Sequence, residues 1–237
     1  MSSYIAKILI IDQETAIFEI LEQRLTHIGY EVTFVSDGQK ALSSFYYEQP
    51  DLVILDILML NSDGYEICRK LREYSSVPII ILTALGTIKE RIKGFEVGAD
   101  DYIIKPFSPK ELEVRIDSVL RRVQVNLNIS PEIPQNSYQA GSIQINFFKK
   151  EVIKHQTRIK LTKIELLLLE LLVKNRGKVV SRLTILDNIW GYTPQRYGDV
   201  RLIDVHISRL RLKLEENPRK PELILTTRGI GYMFQVS

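Results

Sequence analysis

Cysteine is nearly missing from this sequence of 237 residues, and long apolar runs are missing altogether. The single Cys68 excludes an internal disulfide and a zinc site built from cysteines, and the three histidines (His27, His155 and His206) are too scattered to supply one. No stretch approaches the ~18 consecutive apolar residues of a membrane-spanning helix. The N-terminus shows no basic segment followed by an apolar one, so no secretory signal is expected. These absences favour a soluble protein of a reducing compartment.

The charges are divided unevenly along the chain, although the net charge is only +3. Residues 1–124 contain 14 Lys and Arg against 19 Asp and Glu, a net charge of −5, and the remainder contains 18 against 10, a net charge of +8. The length favours two domains, because a single domain usually has roughly 100–200 residues. An acidic first half joined to a basic second half predicts that only the second half contacts a polyanion.

Five short apolar strands alternate with five helices in the first half. The strands are predicted at Lys7–Asp12, Glu31–Val35, Leu52–Leu55, Pro78–Leu82 and Tyr102–Ile104. This alternation predicts an α/β fold with a doubly wound, five-stranded parallel sheet over residues 1–123. Right-handed crossovers then place the carboxyl ends of all five strands along one edge of the sheet.

The strand Leu52–Leu55 ends at Asp56, and three other chemically active side chains stand at or just after strand ends. On its own, Asp56 could simply begin a polar loop. Sites in open α/β sheets, however, are built at the carboxyl edge. The side chains expected to converge there are Asp12, Asp56, Thr83 and Lys105. Two carboxylates beside a hydroxyl and an ammonium group predict a Mg²⁺ site in which one carboxylate is a nucleophile for a phosphoryl group.

The second half begins after a polar tether. Residues 124–137 are rich in Asn, Gln, Ser and Pro without an apolar period, which predicts a linker. Residues 138–237 show short strands, then three helices, then a β-hairpin with Gly229 at its tip. This order predicts a winged helix-turn-helix domain of the α+β class.

The third of these helices, predicted from about Val200 to Glu216, has two faces at 100° per residue. The stripe predicted to face the core is Ile203, Ile207, Leu210 and Leu214. The residues predicted to contact DNA from the other side are Arg201, Val205, Ser208, Arg209 and Arg211. In a major groove, Arg bonds guanine edges and an apolar side chain contacts thymine methyls. Arg228 at the hairpin tip is placed to reach an adjacent minor groove. An ordinary amphipathic surface helix, with Arg for solubility, is the alternative.

Residues 7–122 resemble the receiver domain of two-component response regulators. The resemblance is carried by ILIID, LVILDILML followed by DG, the ILTA run, and GADDYIIKPF. It implies a flavodoxin-like fold, with Asp56 as the phosphoacceptor of a partner sensor histidine kinase. Asp12 and the backbone carbonyl of Leu58 are implied as further parts of the Mg²⁺ pocket.

The same resemblance implies how the signal is transmitted. Thr83 and Tyr102 match the switch pair, in which a hydroxyl moves to the phosphate and an aromatic ring turns inward behind it. Lys105 matches the lysine that pairs with the phosphate, and a cis peptide bond is implied before Pro106.

The metal pocket departs from the family pattern at Gln13. Such receivers usually carry two consecutive acids, whereas this chain reads Asp12-Gln13-Glu14. The amide oxygen of Gln13 can ligate Mg²⁺, but one negative charge is lost, so the affinity for the metal is expected to fall. Glu14 could compensate in part if its side chain turned into the pocket.

For a receiver that carries the GADDY motif, the resemblance implies dimerisation through the fourth helix, the fifth strand and the fifth helix. The charges that match this two-fold face are Arg91 with Glu111, Asp101 with Arg115, and Asp100 with Arg122. A self-complementary patch is what a two-fold interface requires. The alternative is a set of solvated helix charges, in which each pair contributes less than ~1 kcal/mol.

Residues 138–237 resemble the OmpR/PhoB-type effector domain. The matching segments are LTKIELLLLELL, VVSRLTILDNIWG, VRLIDVHISRLRLKLE and TTRGIGYMF. The resemblance implies a recognition helix at Val200–Glu216, a loop facing RNA polymerase at Gly191–Asp199, and Arg228 in the wing. Both resemblances together imply a transcriptional regulator that is phosphorylated on Asp56 and binds tandem half-sites of double-stranded DNA as a homodimer.

Two other functions stay open at this point. Gln13 favours a DNA-binding regulator that works without phosphorylation. A Mg²⁺-dependent phosphohydrolase would commonly need a second acid two residues after Asp56, where Leu58 is apolar, so the sequence favours a protein that is not an enzyme. The abundance of Ile, Lys and Asn resembles regulators encoded in the plastid genomes of algae, which implies the plastid stroma, and a bacterial cytoplasm is equally compatible.

Overall fold

The computed structural model describes residues 5–125, 137–191 and 197–235, with only the backbone of residues 121–125 and 197–201. The chain divides into two compact units, Met1–Val123 and Gln124–Ser237. Within the described ranges, no helix is long and apolar enough to cross a membrane. Each unit is described by itself below.

In the first unit every main strand is followed by a helix. Its elements in chain order are β1 (Lys7–Ile11), α1 (Thr15–His27), β2 (Glu31–Val35), a 3-10 turn (Gly38–Lys40), α2 (Ala41–Glu48), β3 (Leu52–Leu55), β4 (Leu58–Met59), β5 (Ser62–Asp63), α3 (Gly64–Tyr74), β6 (Ile79–Thr83), α4 (Ile88–Glu96), β7 (Asp101–Ile104) and α5 (Pro109–Val125). The strands β4 and β5, of two residues each, pair as a short antiparallel hairpin that the sequence pattern does not predict. The helix α5 continues to Val125, beyond the predicted domain boundary at residue 123.

The five main strands form one parallel sheet in the order β2-β1-β3-β6-β7. Every residue of β3 and of β6 is buried, because helices cover both faces of these central strands. Leu55 is paired with Ile11 on one side and with Ile81 on the other. This register brings the carboxyl ends of β1, β3 and β6 to the same edge and confirms the predicted doubly wound fold.

The second unit combines two antiparallel sheets with three helices. Its elements are β8 (Ser137–Ala140), β9 (Ile143–Asn146), β10 (Glu151–Lys154), β11 (Thr157–Ile159), α6 (Lys163–Lys174), β12 (Val180–Ser181), α7 (Arg182–Trp190), α8 (Tyr197–Leu214), β13 (Ile224–Thr227) and β14 (Gly231–Phe234). The first sheet has the order β11-β10-β9-β8, and the second has the order β12-β14-β13. The helices α6, α7 and α8 pack around an apolar core that includes Leu168, Leu169, Ile185 and Leu210. The predicted winged helix-turn-helix is thus confirmed.

Two boundaries differ from the sequence prediction. The strand β8 begins at Ser137, inside the predicted linker, because its polar residues pair with β9 at the sheet edge and give no apolar signal. The helix α8 begins at Tyr197, inside the segment predicted as the polymerase-facing loop. Residues 192–196 of that loop lie outside the described residues.

A capping box formed by Thr162 and Glu165 begins α6. The Thr162 hydroxyl accepts a hydrogen bond from the Glu165 amide at 3.3 Å, and the Glu165 carboxylate accepts one from the Thr162 amide at 2.8 Å. Glu165 is fully buried in this position. A buried carboxylate is unfavourable unless it is paired, so positively charged side chains are expected beside Glu165.

Candidate functional site

The carboxyl edge of the parallel sheet gathers the side chains that the sequence places at strand ends. Asp56 follows β3, and its amide donates to the Ile11 carbonyl at 2.9 Å. Lys105 follows β7, and its amide donates to the Thr83 carbonyl at 2.8 Å. These ladder hydrogen bonds fix the backbone from which the functional side chains project.

The Lys105 ammonium lies among three carboxylates. Its Nζ atom is 2.8 Å from Asp12 Oδ2, 2.9 Å from Asp56 Oδ2 and 2.9 Å from Glu14 Oε1. The remaining oxygen of each aspartate accepts a backbone amide, since Asp12 Oδ1 binds the Glu14 amide and Asp56 Oδ1 binds the Leu58 amide, both at 2.9 Å. Asp12 and Asp56 are buried, whereas Glu14 lies at the mouth of the pocket.

The electrostatics of this pocket follow from its burial. Burial raises the pKa of the Asp12 carboxyl above its ordinary value, and the hydrogen bond from Lys105 offsets this only in part. Burial opposes the charge on Lys105, but the hydrogen bonds to Asp12, Asp56 and Glu14 outweigh it and raise the pKa of the ammonium group. Lys105 is therefore held in its charged form.

The residues present fit a hard divalent cation. Oxygen atoms of Asp12, Glu14 and Asp56 all lie within 4.8 Å of one another. Three carboxylates beside one ammonium group leave an excess of two negative charges, and carboxylate oxygens are the ligands that Mg²⁺ prefers. These three residues would hold the ion, and the Leu58 backbone carbonyl stays a predicted ligand.

The Gln13 side chain bonds to the loop that follows β3. Its amide oxygen accepts a hydrogen bond from the Leu60 backbone amide at 2.8 Å and so fastens the loop after β3 to the end of β1. The residue that enters the cluster is Glu14, whose direction the sequence pattern could not give. The position of Gln13 therefore does not support its predicted role as a direct metal ligand.

Thr83 and Tyr102, which are predicted as a switch pair, are both buried. Thr83 is fully buried, and among the described residues its hydroxyl has no hydrogen-bond partner. The Tyr102 ring is turned inward, with 3% of its surface exposed, and its hydroxyl donates to the Leu85 carbonyl at 2.7 Å. Gly94 permits this position, because a Cβ there would stand 2.9 Å from the ring. The expected cis bond between Lys105 and Pro106 is present.

The predicted dimer-face charges form pairs within one chain. Arg115 binds Asp101 at 2.9 Å and Glu111, four residues before it on α5, at 2.9 Å. Arg91 is half-buried on α4. The side chain of Arg122 lies outside the described residues.

Asp100 requires a correction. It is fully buried, its carboxylate pairs with Arg72, and it accepts a hydrogen bond from the Ile79 amide at 2.9 Å. The prediction of Asp100 as a surface partner of Arg122 is therefore wrong, because this carboxylate ties α3 to the start of β6 instead.

The helix α8 has the apolar stripe that the angular reading predicts. Its buried members are Ile203, Ile207, Leu210 and Leu214, each with at most 1% of its surface exposed. On the other side Ser208 is exposed and Val205 is half-buried. The side chain of Arg201, predicted to contact DNA, lies outside the described residues. His206 is buried against Trp190, with ring centroids 5.2 Å apart.

Two of the predicted DNA-contacting arginines turn back to the protein. Arg209 pairs with the buried Glu165 at 3.0 Å, and only 12% of its side chain is exposed. Arg211 donates from Nε to the Ile224 carbonyl at 3.0 Å and from Nη2 to Thr226 Oγ1 at 2.8 Å. The prediction that these two arginines point outward to DNA is wrong, because Glu165 binds the guanidinium group of Arg209 and β13 binds that of Arg211.

The wing presents Arg228 as predicted, at an exposed tip beside Gly229, whose φ of +74° suits glycine. Sequence reasoning missed the cluster at its base. Arg182 Nε binds Asp204 Oδ1 at 2.8 Å, and the Tyr232 hydroxyl donates to the same oxygen at 2.6 Å. This cluster joins α7, α8 and β14. The only sequence signal for it is an acidic residue on an otherwise basic helix face.

Comparisons with known proteins agree with both units. Residues 8–117 match the response regulator receiver domain family, and residues 156–234 match the family described as transcriptional regulatory protein, C terminal. Over 229 residues the chain is 53% identical to the probable transcriptional regulator ycf27 of Cyanophora paradoxa, covering 97% of this chain and 96% of that protein. Over 230 residues it is 54% identical to the protein of the same name from Pyropia yezoensis, covering 97% and 94%.

Solved structures of whole regulators are similar too. A mutant of RitR has a TM-score of 0.75 and 27% identity, covering 98% of this chain and 99% of that one. The response regulator DrrB, a Thermotoga maritima OmpR/PhoB homolog, has a TM-score of 0.50 and 32% identity, covering 97% and 99%. With a receiver fold, a winged helix and relatives that match along nearly the whole chain, this protein belongs to the OmpR/PhoB family of response regulators.

Proposed function

We propose that this response regulator is phosphorylated on Asp56 by a partner histidine kinase, that its receivers then form a homodimer, and that the dimer binds tandem half-sites in promoter DNA. The observation that carries the proposal is that Asp12 and Asp56 both bond to the Lys105 ammonium at the sheet edge, at 2.8 and 2.9 Å. These three residues follow three separate strands, and the carboxyl edge where they meet is where open α/β sheets bind their ligands.

The proposed transfer uses the free lone pairs of Asp56. An oxygen of this carboxylate bonds to phosphorus while the bond between phosphorus and the kinase histidine breaks, giving an acyl phosphate. Lys105 stands 2.9 Å from Asp56 and is positioned to offset charge on the phosphoryl oxygens. Mg²⁺, when bound by Asp12, Glu14 and Asp56, supplies further charge stabilisation there.

The proposed switch uses Thr83. Its buried hydroxyl has no hydrogen-bond partner among the described residues, which is an energetically costly state. A phosphoryl oxygen on Asp56 offers the acceptor that it lacks. The nearby face of α4, β7 and α5 carries Arg91, Asp101, Glu111 and Arg115, and we propose that it pairs with the same face of a second receiver.

DNA binding is assigned to α8 and the wing. Ser208 and Arg228 are exposed and Val205 is half-buried, which supports their proposed contact with DNA, and Arg201 is included from the sequence. Pairing of the receivers raises the effective concentration of the second effector domain on adjacent half-sites, so phosphorylation tightens binding without any new DNA contact.

The test is intact-mass analysis after treatment with acetyl phosphate and Mg²⁺, followed by DNA titration. The wild-type protein should gain one phosphoryl group and bind a two-half-site duplex roughly tenfold or more tightly. Asp56→Ala should show neither change. A protein that gains no mass would refute the proposed phosphotransfer.

A second candidate function is a DNA-binding regulator that works without phosphorylation. It is favoured by Gln13, which lacks a charge and bonds to Leu60 rather than turning to the pocket. It predicts equal affinity for the two-half-site duplex with and without acetyl phosphate.

The remaining parts of the proposal rest on sequence. We infer contact with RNA polymerase through residues 191–199, no enzymatic turnover of its own, and residence in the plastid stroma or, equally, in a bacterial cytoplasm. The exposed, apolar Leu58 side chain stands where phosphohydrolases of this chemistry need a second acid, which supports a regulatory role.

A further inference from the structure

We propose that Glu14, and not Gln13, supplies the acidic side chain that binds the metal ion beside Asp12 and Asp56, so that the charge lost at residue 13 is restored one residue later. This inference rests on the proposed function of the Asp56 pocket and concerns only which side chain completes it.

The first observation is that Gln13 is already engaged. Its amide oxygen accepts the Leu60 amide at 2.8 Å, so this side chain holds the loop that follows Asp56 and Leu58. An amide oxygen committed to a backbone donor has lost part of its capacity as a ligand. Gln13 thus has a structural task that needs no charge.

The second observation is that the Glu14 side chain does not cap helix α1, although Glu14 stands at the N-cap position. It precedes the first residue of α1, where a short polar side chain ordinarily accepts a helix amide, yet within the described residues its side chain makes no capping hydrogen bond. The carboxylate instead reaches Lys105 at 2.9 Å, on the same ammonium group as Asp12 and Asp56. About half of the side chain is exposed, at 52%, so it can approach an ion from the solvent side.

The third observation is the match of charge and distance. Asp12, Asp56 and Lys105 alone carry a net charge of −1, and Glu14 brings the pocket to −2, which balances one divalent cation. Oxygen ligands at 2.0–2.1 Å from Mg²⁺ lie at most about 4.2 Å apart in an octahedron. The carboxylate oxygens of Asp12, Glu14 and Asp56 are within 4.8 Å of one another, so small rotations bring them to that spacing.

The experiment titrates the full-length protein with Mg²⁺ alone by calorimetry and repeats the titration with Mn²⁺ by electron paramagnetic resonance. Glu14→Gln should weaken the affinity for both ions about tenfold, because it removes one charged ligand while keeping the side-chain shape. Gln13→Ala should stay within about twofold of wild type. The matched control is Glu22→Gln, an exposed carboxylate on the same helix but outside the pocket, and it should leave the affinity unchanged.

A rescue variant separates charge from fold. Glu14→Gln combined with Gln13→Asp places the acid at the neighbouring position and should recover most of the affinity. Equal affinity of wild type and Glu14→Gln, or a larger loss in Gln13→Ala, would overturn the assignment while leaving the pocket itself in place. If the wild-type protein binds neither ion, then the proposed Mg²⁺ pocket and this assignment both fail.

Discussion

Each unit of this regulator contains a cluster in which a central charge is surrounded by opposite charges, and the two clusters are opposite in sign. In the receiver, the Lys105 ammonium lies among three carboxylates. In the winged-helix unit, the Glu165 carboxylate lies between Arg209 at 3.0 Å and Lys213 at 2.5 Å. The first cluster keeps a negative excess at a pocket mouth, so it is suited to bind a cation. The second also forms a capping box, and it fixes α8 against α6 without need of a ligand.

The difference shows how the same chemistry serves binding in one place and packing in another. Among the described residues, the Lys105 ammonium group bonds only to carboxylate side chains, and these can exchange it for other ligands. Lys213 also donates to the Lys160 carbonyl at 3.0 Å, and Glu165 also accepts the Thr162 amide. Backbone groups of this kind cannot leave without unfolding the helix start, so the second cluster should contribute stability rather than a response.

The largest expected effect is on the second cluster. Glu165→Ala leaves Arg209 and Lys213 without their carboxylate and removes one half of the capping box, so it should lower the free energy of unfolding by about 3 kcal/mol. Trp190 is the only tryptophan of the chain and is buried in this unit, so its fluorescence during urea unfolding measures the loss. Glu165→Gln is the control that keeps the capping box. An unchanged urea midpoint for Glu165→Ala would contradict the stabilising role of the Glu165 cluster.

The next effect should be smaller and should respond to metal. Lys105→Met leaves three carboxylates facing one another, and we expect it to destabilise the receiver by about 2 kcal/mol in the absence of Mg²⁺. Added Mg²⁺ should restore this loss by binding the folded state. Calorimetric scans with and without the ion measure both values. Added Mg²⁺ should not restore the stability of Glu165→Ala. If it did, the Glu165 cluster would also respond to the metal, and the difference between the two clusters would be contradicted.

A pH effect should appear in the winged-helix unit. Burial, with the hydrogen bond to Asp204, raises the pKa of Tyr232 from 10.0 to about 12. A raised pKa means that the folded state holds the proton more tightly, so this stability is complete below pH 10 and is lost as the pH rises toward about 12. Trp190 fluorescence in urea at several pH values measures it. Tyr232→Phe should remove most of this loss of stability between pH 10 and about 12. If the variant loses stability as steeply as the wild type, another group is responsible for the pH dependence.

The smallest effect on stability should come from the wing. Arg228→Ala removes an exposed side chain, so the free energy of unfolding should not change, but the salt dependence of DNA binding should lose a slope of about 1. Arg209→Ala should do the reverse, with lower stability and an unchanged slope, because its guanidinium is bound to Glu165. Titrations of duplex DNA at several salt concentrations measure the slopes. Equal slopes for wild type and Arg228→Ala would contradict the proposed contact between Arg228 and DNA.

The sequence was sufficient for the fold and for much of the pocket. Alternating strands and helices fix where strand ends lie, so the convergence of Asp12, Asp56 and Lys105 follows from topology alone. The sequence could not give the directions of neighbouring side chains. Gln13 and Glu14 are adjacent, yet one turns to the Leu60 amide and the other to Lys105. That choice depends on groups about 50 and 90 residues away.

The recognition helix shows the same limit. An angular reading separates the buried stripe from the rest, but it cannot tell that Arg209 is bound by a carboxylate 44 residues earlier or that Arg211 is bound by a strand that follows. Asp100 and Asp101 likewise differ only in their three-dimensional partners, Arg72 for one and Arg115 for the other. Polar residues that leave the surface to join an ion pair carry no periodic signal.

The inward position of Tyr102 has a consequence for how such a regulator performs in a cell. Its hydroxyl already bonds to the Leu85 carbonyl, so the proposed switch needs a movement of Thr83 but no rotation of the ring. Under the proposed switch, a ring that is already inward makes the equilibrium between the two states less one-sided before any stimulus, which would raise the resting output. Genes under its control would show appreciable expression in unstimulated cells and a narrower dynamic range.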